Sequence, residues 1–264
     1  MEEDKENQIV GLVKASSNIL SQFYQDLAQP SVKAVGQALA TVFELCPNSL
    51  LSLKLWSEKR KLHFQKHLSE YAKKLEDIPV EKRCEVDTQV GTPIVERLTY
   101  TTNDEIADLF TTLLAMASNV DTKNRAHPSF IHIIENLTPD EAIILRHIKD
   151  LDYVPYCEVR AKGSDGYDIL ENCLTTLRYD LQLDYPQNIG AYLSNFVSLG
   201  ILIGNRDLMI QLNASEDYER MLQCYGLEDL KNELVPSRYA AIHAKKDFYI
   251  ITPIGKLFLR ACIK

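Results

Sequence analysis

The sequence predicts a mostly α-helical protein, α+β overall. An N-terminal helical domain over residues 1–136 is followed by a winged-helix-like domain over 137–264. Apolar residues recur at helical spacing through most of the first half. Two helix starts are marked by cap-like tetrapeptides, Thr102-Asn-Asp-Glu105 and Thr138-Pro-Asp-Glu141. The second half changes pattern, with short apolar runs set between turn residues, and its elements follow the order helix, helix, helix, hairpin, closing helix.

The first helix places Ile9, Val13, Leu20, Tyr24 and Leu27 on one face and ends at Gln29-Pro30. A second carries Val32, Val35, Leu39, Val42, Phe43 and Cys46 until Pro47 stops it. A third starts with Leu50, Leu51, Leu53, Leu55 and Trp56. It passes through Lys59-Arg60-Lys61 and continues to Leu68, Tyr71 and Leu75. Pro79 and the polar stretch PVEKRCEVDTQVGTP read as a connector. After Thr102 comes an apolar set, Ile106, Leu109, Phe110, Leu113, Leu114 and Ala117. A loop follows, then a short helix with Phe130, Ile133, Ile134 and Leu137.

Beyond Thr138, Ile144 and Ile148 mark another helix, and VPYCEVR a strand closed by the turn Lys162-Gly-Ser-Asp-Gly166. Leu170, Cys173, Leu177 and Leu181 have helical spacing. PQNIGAYLSNFVSLGILI predicts a helix that stops at Gly200 and runs into a strand. RYAAIHA and DFYIIT flank Lys245-Lys246 as a hairpin, and Thr252-Pro253 opens the last helix, with Leu257, Phe258 and Ala261.

The net charge of −8 comes from 29 Lys and Arg against 37 Asp and Glu. Both halves share it, with 15 against 19 in residues 1–136 and 14 against 18 in 137–264, so neither is a basic nucleic-acid module. The start MEEDKENQIVG is acidic and polar, unlike a secretory signal, and no window holds 18 consecutive apolar residues. The cysteines fall singly at 46, 84, 157, 173, 224 and 262, which points to reduced thiols in a cytoplasmic protein.

Four segments together resemble a known family: PSVKAVGQALATVF (30–43), LTYTTNDEIADLFTTLLAMASN (98–119), AHPSFIHIIENLTPDEA (126–142) and DFYIITPIGKLF (247–258). They are similar to the Abi-alpha family of bacterial proteins, named for abortive infection. The resemblance implies an anti-phage role, in which an infected cell stops growing before the phage completes its cycle. It brings no assigned catalytic residue.

The residues themselves mark no familiar chemistry. There is no G-x-x-x-x-G-K-[ST], G-x-G-x-x-G, G-x-S-x-G or H-E-x-x-H. The expectation is therefore action by interaction rather than catalysis, with no cofactor and no metal. His63 and His67 are spaced i, i+4, but Lys59, Arg60, Lys61 and Lys66 surround them, so they read as a solvated helix face. Asp104, Glu105 and Asp108 read as carboxylates favoured at a helix N-terminus. The tentative polar site is the loop of Arg125, His127 and Ser129, where an imidazole, a guanidinium and a hydroxyl share one turn.

DNA is disfavoured as a partner. The candidate recognition helix QNIGAYLSNFVSLG holds no Lys or Arg, and the wing offers Arg238, Lys245 and Lys246, against the roughly 6–10 phosphates a duplex binder contacts. A protein partner or a homo-oligomer is expected instead. A second surface is formed by Val42, Phe43, Leu51, Leu55 and Trp56 beside Lys59, Arg60 and Lys61. This amphipathic set suits either a helix-bundle core or peripheral contact with the inner face of the membrane.

Overall fold

The computed structural model describes residues 58–204, 215–235 and 238–263. The helices expected before residue 57, and with them Val42, Phe43, Leu51, Leu55 and Trp56, lie outside the described residues. The chain divides into two compact units, residues 1–139 with 261–264, and residues 140–260.

The first unit is built from α1 (Glu58–Glu76), α2 (Thr88–Leu98), α3 (Asp104–Ala117) and α4 (Ser129–Glu135), with single 3-10 turns at Val80–Lys82 and Lys123–Arg125. α1 buries Phe64, Leu68, Tyr71 and Leu75, which its spacing of 4, 3 and 4 places on one stripe. α3 is the central element: Ala107, Leu109 to Ala115 and Ala117 are all buried, so polar Thr111 and Thr112 are carried inside with the rest. Lys74 of α1 meets those threonines. Its Nζ lies 2.8 Å from Thr111 Oγ1, 2.7 Å from Thr112 Oγ1, and 2.6 Å from Asp108 Oδ1. A half-buried ammonium is tolerated because polar partners surround it. Two readings change here. The cap of α3 is Asn103, whose side chain accepts from Glu105 and Ile106 N–H at 2.9 and 3.2 Å, in place of Thr102. His67 is fully buried and lies 3.1 Å, through Nε2, from Thr101 O. Its stripe position next to Leu68 outweighs its polarity.

The second unit holds α5 (Pro139–Ile148), a four-stranded antiparallel sheet, and the helices that cover it. The strands are β1 (Tyr153–Lys162), β2 (Tyr167–Leu174), β3 (Leu202–Gly204) and β4 (Ala241–Ile251), in the order β2-β1-β4-β3. β1 and β4 pair continuously from Tyr153↔Ile250 to Lys162↔Ala241. One sheet face carries Cys157, Val159, Ala161 and Ile242, packed with Tyr218 and Met221 of α8 (Ser215–Tyr225) and Leu227 of α9 (Leu227–Leu234). Gly226, at φ +72, makes the left-handed break between those helices. α6 (Leu177–Asp180) and α7 (Ile189–Ser198) lie between β2 and β3, and α10 (Pro253–Cys262) ends the fold. α7 stops as expected: Gly200 has φ +75, with Ile201 N–H on Phe196 O at 2.9 Å and Gly200 N–H on Val197 O at 3.1 Å, a Schellman closure.

The α+β class stands, but two elements of the winged-helix expectation are corrected. Residues 241–251 form one uninterrupted strand, so Lys245-Lys246 is no hairpin. A two-residue hairpin needs residues that accept positive φ, and two lysines supply none. In the strand they simply alternate, Lys245 opposite Glu158 and Lys246 opposite Cys157. Residues 170–181 are not one helix either. Leu170 and Cys173 belong to β2, and Leu177 to the short α6, because β1 recruits its sequence neighbour as a strand across the Lys162–Gly166 turn.

Candidate functional site

The loop between α3 and α4 is held from both ends. Ser118 caps α3, and Thr122 Oγ1 donates to Met116 O at 2.8 Å. Across from it runs residues 82–84: Val120 N–H donates to Lys82 O at 2.9 Å and Cys84 N–H to Ser118 O at 2.8 Å. Arg83 and Asn119 form a β-bridge, and Lys82 pairs with Asp121 at 2.7 Å. Beside this seam opens a cleft of about 560 Å³. Val86, Val90 and Ala117 are part of its apolar lining, with Glu85 and Asp87 from one segment and Lys123 from the other. Asp87 is also the N-cap of α2, accepting Gln89 N–H at 2.8 Å.

Of the predicted polar trio, the structure brings two together. His127 Nδ1 lies 2.7 Å from Ser129 Oγ and accepts the Ser129 backbone N–H at 3.1 Å. An Nδ1 that accepts from a backbone amide carries no proton, so the neutral ring is protonated on Nε2. The ring packs 5.7 Å from Phe130. The imidazole thus acts as an Asx-type acceptor, binding the amide two residues on at the entry to α4. Arg125 is exposed and meets His127 through the backbone, where its carbonyl accepts the His127 N–H at 3.0 Å. Lys59, Arg60 and Lys61 fall within α1. His132 is exposed, with Nδ1 3.4 Å from Asn136 Nδ2.

The sequence did not single out the cleft, because its 85–88 side lies in the polar stretch taken for a connector. The one signal was Asp87 ahead of Thr88, an N-cap residue preceding a helical apolar pattern. Nor did it single out the buried acids of α5. Asp140 accepts from Asp184 N–H at 2.8 Å, Tyr185 N–H at 2.9 Å and the Tyr192 hydroxyl at 2.9 Å, and Glu141 accepts from Asn195 Nδ2 at 2.8 Å. These carboxylates are buried, and they anchor the 184–195 segment. A further hollow of about 410 Å³ lies at the elbow of α8 and α9, bordered by Glu219, Leu222, Leu227 and Asp229.

Three of the described thiols are poorly placed for chemistry. Burial pushes Cys157 up to about 11 and Cys173 up to about 12, and Cys262 is raised well above its ordinary value for the same reason. A thiol held in its protonated form is a poor nucleophile and metal ligand. Among the described residues no helix is long and apolar enough to cross a membrane.

No curated protein matches the chain. Among solved structures, an uncharacterized protein from the hydrocarbon-degrading marine bacterium Alcanivorax borkumensis SK2 is similar at 17% identity and a TM-score of 0.34. The similarity covers 52% of this chain and 93% of that one. The family model for abortive infection alpha matches residues 59–262, running from the first described helix through both units to the last. The chain therefore belongs to the abortive infection alpha family.

Proposed function

We propose that this protein is a cytoplasmic anti-phage factor of abortive infection that acts through non-covalent interactions rather than through catalysis. Membership of the family over residues 59–262 carries the defence reading. The use made of the polar side chains supports interaction as the mode. Lys74 fastens α1 to α3, Asp140 fastens α5 to the 184–192 segment, and the imidazole of His127 holds the start of α4. These three groups already serve structural bonds.

The effector part in this reading is the N-terminal helical region, with Val42, Phe43, Leu51, Leu55, Trp56 and Lys59 to Lys61 as a surface for a partner or for the inner face of the membrane. Residues 140–260 sense or dock. A second reading, a regulatory module of winged-helix type that docks a partner protein or DNA, draws on the run from α7 through Gly200 into β3, which pairs with β4. The outward residues of that helix, Ala191, Ser194, Val197 and Ser198, include no cation, so they suit a protein partner better than phosphate.

The test is infection of a phage-sensitive bacterium expressing the full chain. Abortive infection predicts fewer infectious centres at low phage input and arrest of the infected cells at high input. Protected cells that keep growing at high input overturn it. Liposome flotation with anionic vesicles separates the two partner classes: binding favours the membrane, and absence of binding favours protein.

A further inference from the structure

We propose that the open half of one sheet face, the face turned away from α8 and α9, binds single-stranded nucleic acid. Tyr167 and His243 stack bases there, and Lys162 and Lys245 hold phosphates. The inference rests on the reading of residues 140–260 as the part that senses or docks, and it names the partner.

Directly opposed residues of neighbouring strands share a face, so strand register gives that face row by row. Tyr167, Lys162 and Ala241 form the first row, Ile169, Arg160 and His243 the second, and Glu158 with Lys245 the third. The β1–β2 pairing is regular through the first two rows and shifts only beyond Arg160↔Ile169. The next rows set Tyr156 with Asp247 and Val154 with Tyr249. There the face closes. Tyr156 stacks on Tyr249 with centroids 4.6 Å apart, and Tyr249 bonds to Cys173. α7 covers that thiol, since a Cβ at Gly190 would lie 3.3 Å from Cys173 Cβ. The first rows stay open: Tyr167 and Ile169 are 55% and 58% exposed, the Lys245 side chain 57%, and Lys162 and His243 are exposed too.

The chemistry of these rows selects the partner. Tyr167 and His243 meet edge to face, with centroids 5.5 Å apart and planes at 70°. Such a pair leaves ring faces unused, and every base has a π-face to stack on one. Arg160, Lys162 and Lys245 flank the rings, and the one acid in these rows, Glu158, pairs with Arg160. Lys162 has no acid partner among the described residues, and Lys245 is 3.9 Å from Asp247, a long contact. The two lysines stand at opposite ends of the open rows, four strand positions or about 13 Å apart along the strand direction. Rings for bases, with cations beside them for the backbone, make a surface for a single strand. A duplex fits it poorly, because its bases are already stacked and it is commonly held by roughly 6–10 phosphate contacts. An acidic protein segment would use the lysines and leave the rings idle. The net charge of −8 opposes nucleic acid at long range, so the binding is short-range, weak and salt-sensitive.

The experiment uses the full chain and fluorescence anisotropy with labelled oligo(U) and oligo(dT). Both should bind at low salt, and the tighter of the two tells RNA from DNA as the strand preferred. Tyr167→Ala should weaken binding by about fivefold or more, the lower end of what one stacked base contributes, while Tyr167→Phe keeps the ring and the affinity. Two to three phosphate contacts on a single strand predict a loss of about 7- to 20-fold between about 50 and 200 mM salt. Changing both lysines, Lys162→Gln with Lys245→Gln, should flatten that dependence. These side chains are exposed, so the variants should match the wild type in thermal unfolding. No binding of either strand, equal binding of a duplex or of an oligo-glutamate probe, or binding indifferent to Tyr167→Ala in a folded chain overturns the inference. Plaque assays read the defence function separately. A chain that binds single strands through Tyr167 yet never protects overturns the defence reading alone, and a protecting chain that binds no single strand overturns this inference alone.

Discussion

The Tyr71 hydroxyl donates to Ser118 Oγ at 2.6 Å, because Ser118 has already given its own proton to Leu114 O at 2.7 Å. The direction of this buried bond joins α1 to the end of α3 and makes its two ends unequal. Ser118→Ala leaves a buried phenol with no acceptor, a loss of about 1–3 kcal/mol. Tyr71→Phe removes a donor while Ser118 keeps its bond to Leu114, a loss of about 1 kcal/mol. Urea denaturation should therefore rank Ser118→Ala as the more destabilising change. Equal losses would mean that the donor is Ser118.

Asp140 is the acceptor for three donors, with Oδ1 facing Asp184 N–H and Oδ2 facing both Tyr185 N–H and the Tyr192 hydroxyl. Asn keeps the shape but must turn its amide NH2 toward one of these donor sets. Asp140→Asn is therefore expected to approach Asp140→Ala, with each destabilised by about 1–3 kcal/mol for every buried donor left without an acceptor. Chemical denaturation of the two variants checks this, and a near-neutral Asn variant would contradict it.

Much of this architecture was legible in residues, and its failures have physical causes. The α1 stripe, the start of α5 at Pro139 and the Gly200 stop follow from local rules, since neighbours in sequence supply the forces. Residues 170–181 and 241–251 failed because strand pairing is decided by partners elsewhere. β4 is a single strand because ten residues of β1 lie opposite it. The His67 error has the same origin: its flanking lysines describe charge, but its place on the α1 stripe decides burial. In the candidate site, His127 and Ser129 were visible as residue types. The cleft was not, because a cavity is made by segments that approach only after folding.

Burial raises the phenols of Tyr192, Tyr218 and Tyr249 to about 12, and that of Tyr71 further still. An unfolded tyrosine titrates near 10, so between these values the folded chain holds protons that the unfolded chain has released. The resulting stability is complete below about pH 10 and is lost as pH rises toward 12. Alkaline titration should show a late component of the phenolate absorbance at 295 nm, carried by these rings, that appears together with the loss of far-ultraviolet circular dichroism. Complete phenolate formation well ahead of unfolding would contradict the burial of these rings.

Cys224 is exposed, Cys84 half-buried, and Cys157, Cys173 and Cys262 buried. Maleimide labelling of the folded chain, mapped by peptide mass, should modify Cys224 first among these five. The three buried thiols should react only at the rate of unfolding, because burial keeps them protonated as well as inaccessible.

The last prediction separates capping from catalysis at His127. Its Nδ1 accepts the Ser129 amide, which an Asn side chain also does as an Asx turn. His127→Asn should therefore keep stability near wild type, while His127→Ala should lose about 0.5–2 kcal/mol, the usual effect of removing a helix-entry acceptor. Ser129→Ala removes the hydroxyl but leaves the amide bond in place, so it should resemble His127→Asn. If the loop only shapes α4, anti-phage protection follows the amount of folded protein across all three variants. Protection lost in a fully folded His127→Asn protein would assign the imidazole a chemical role and overturn the interaction reading.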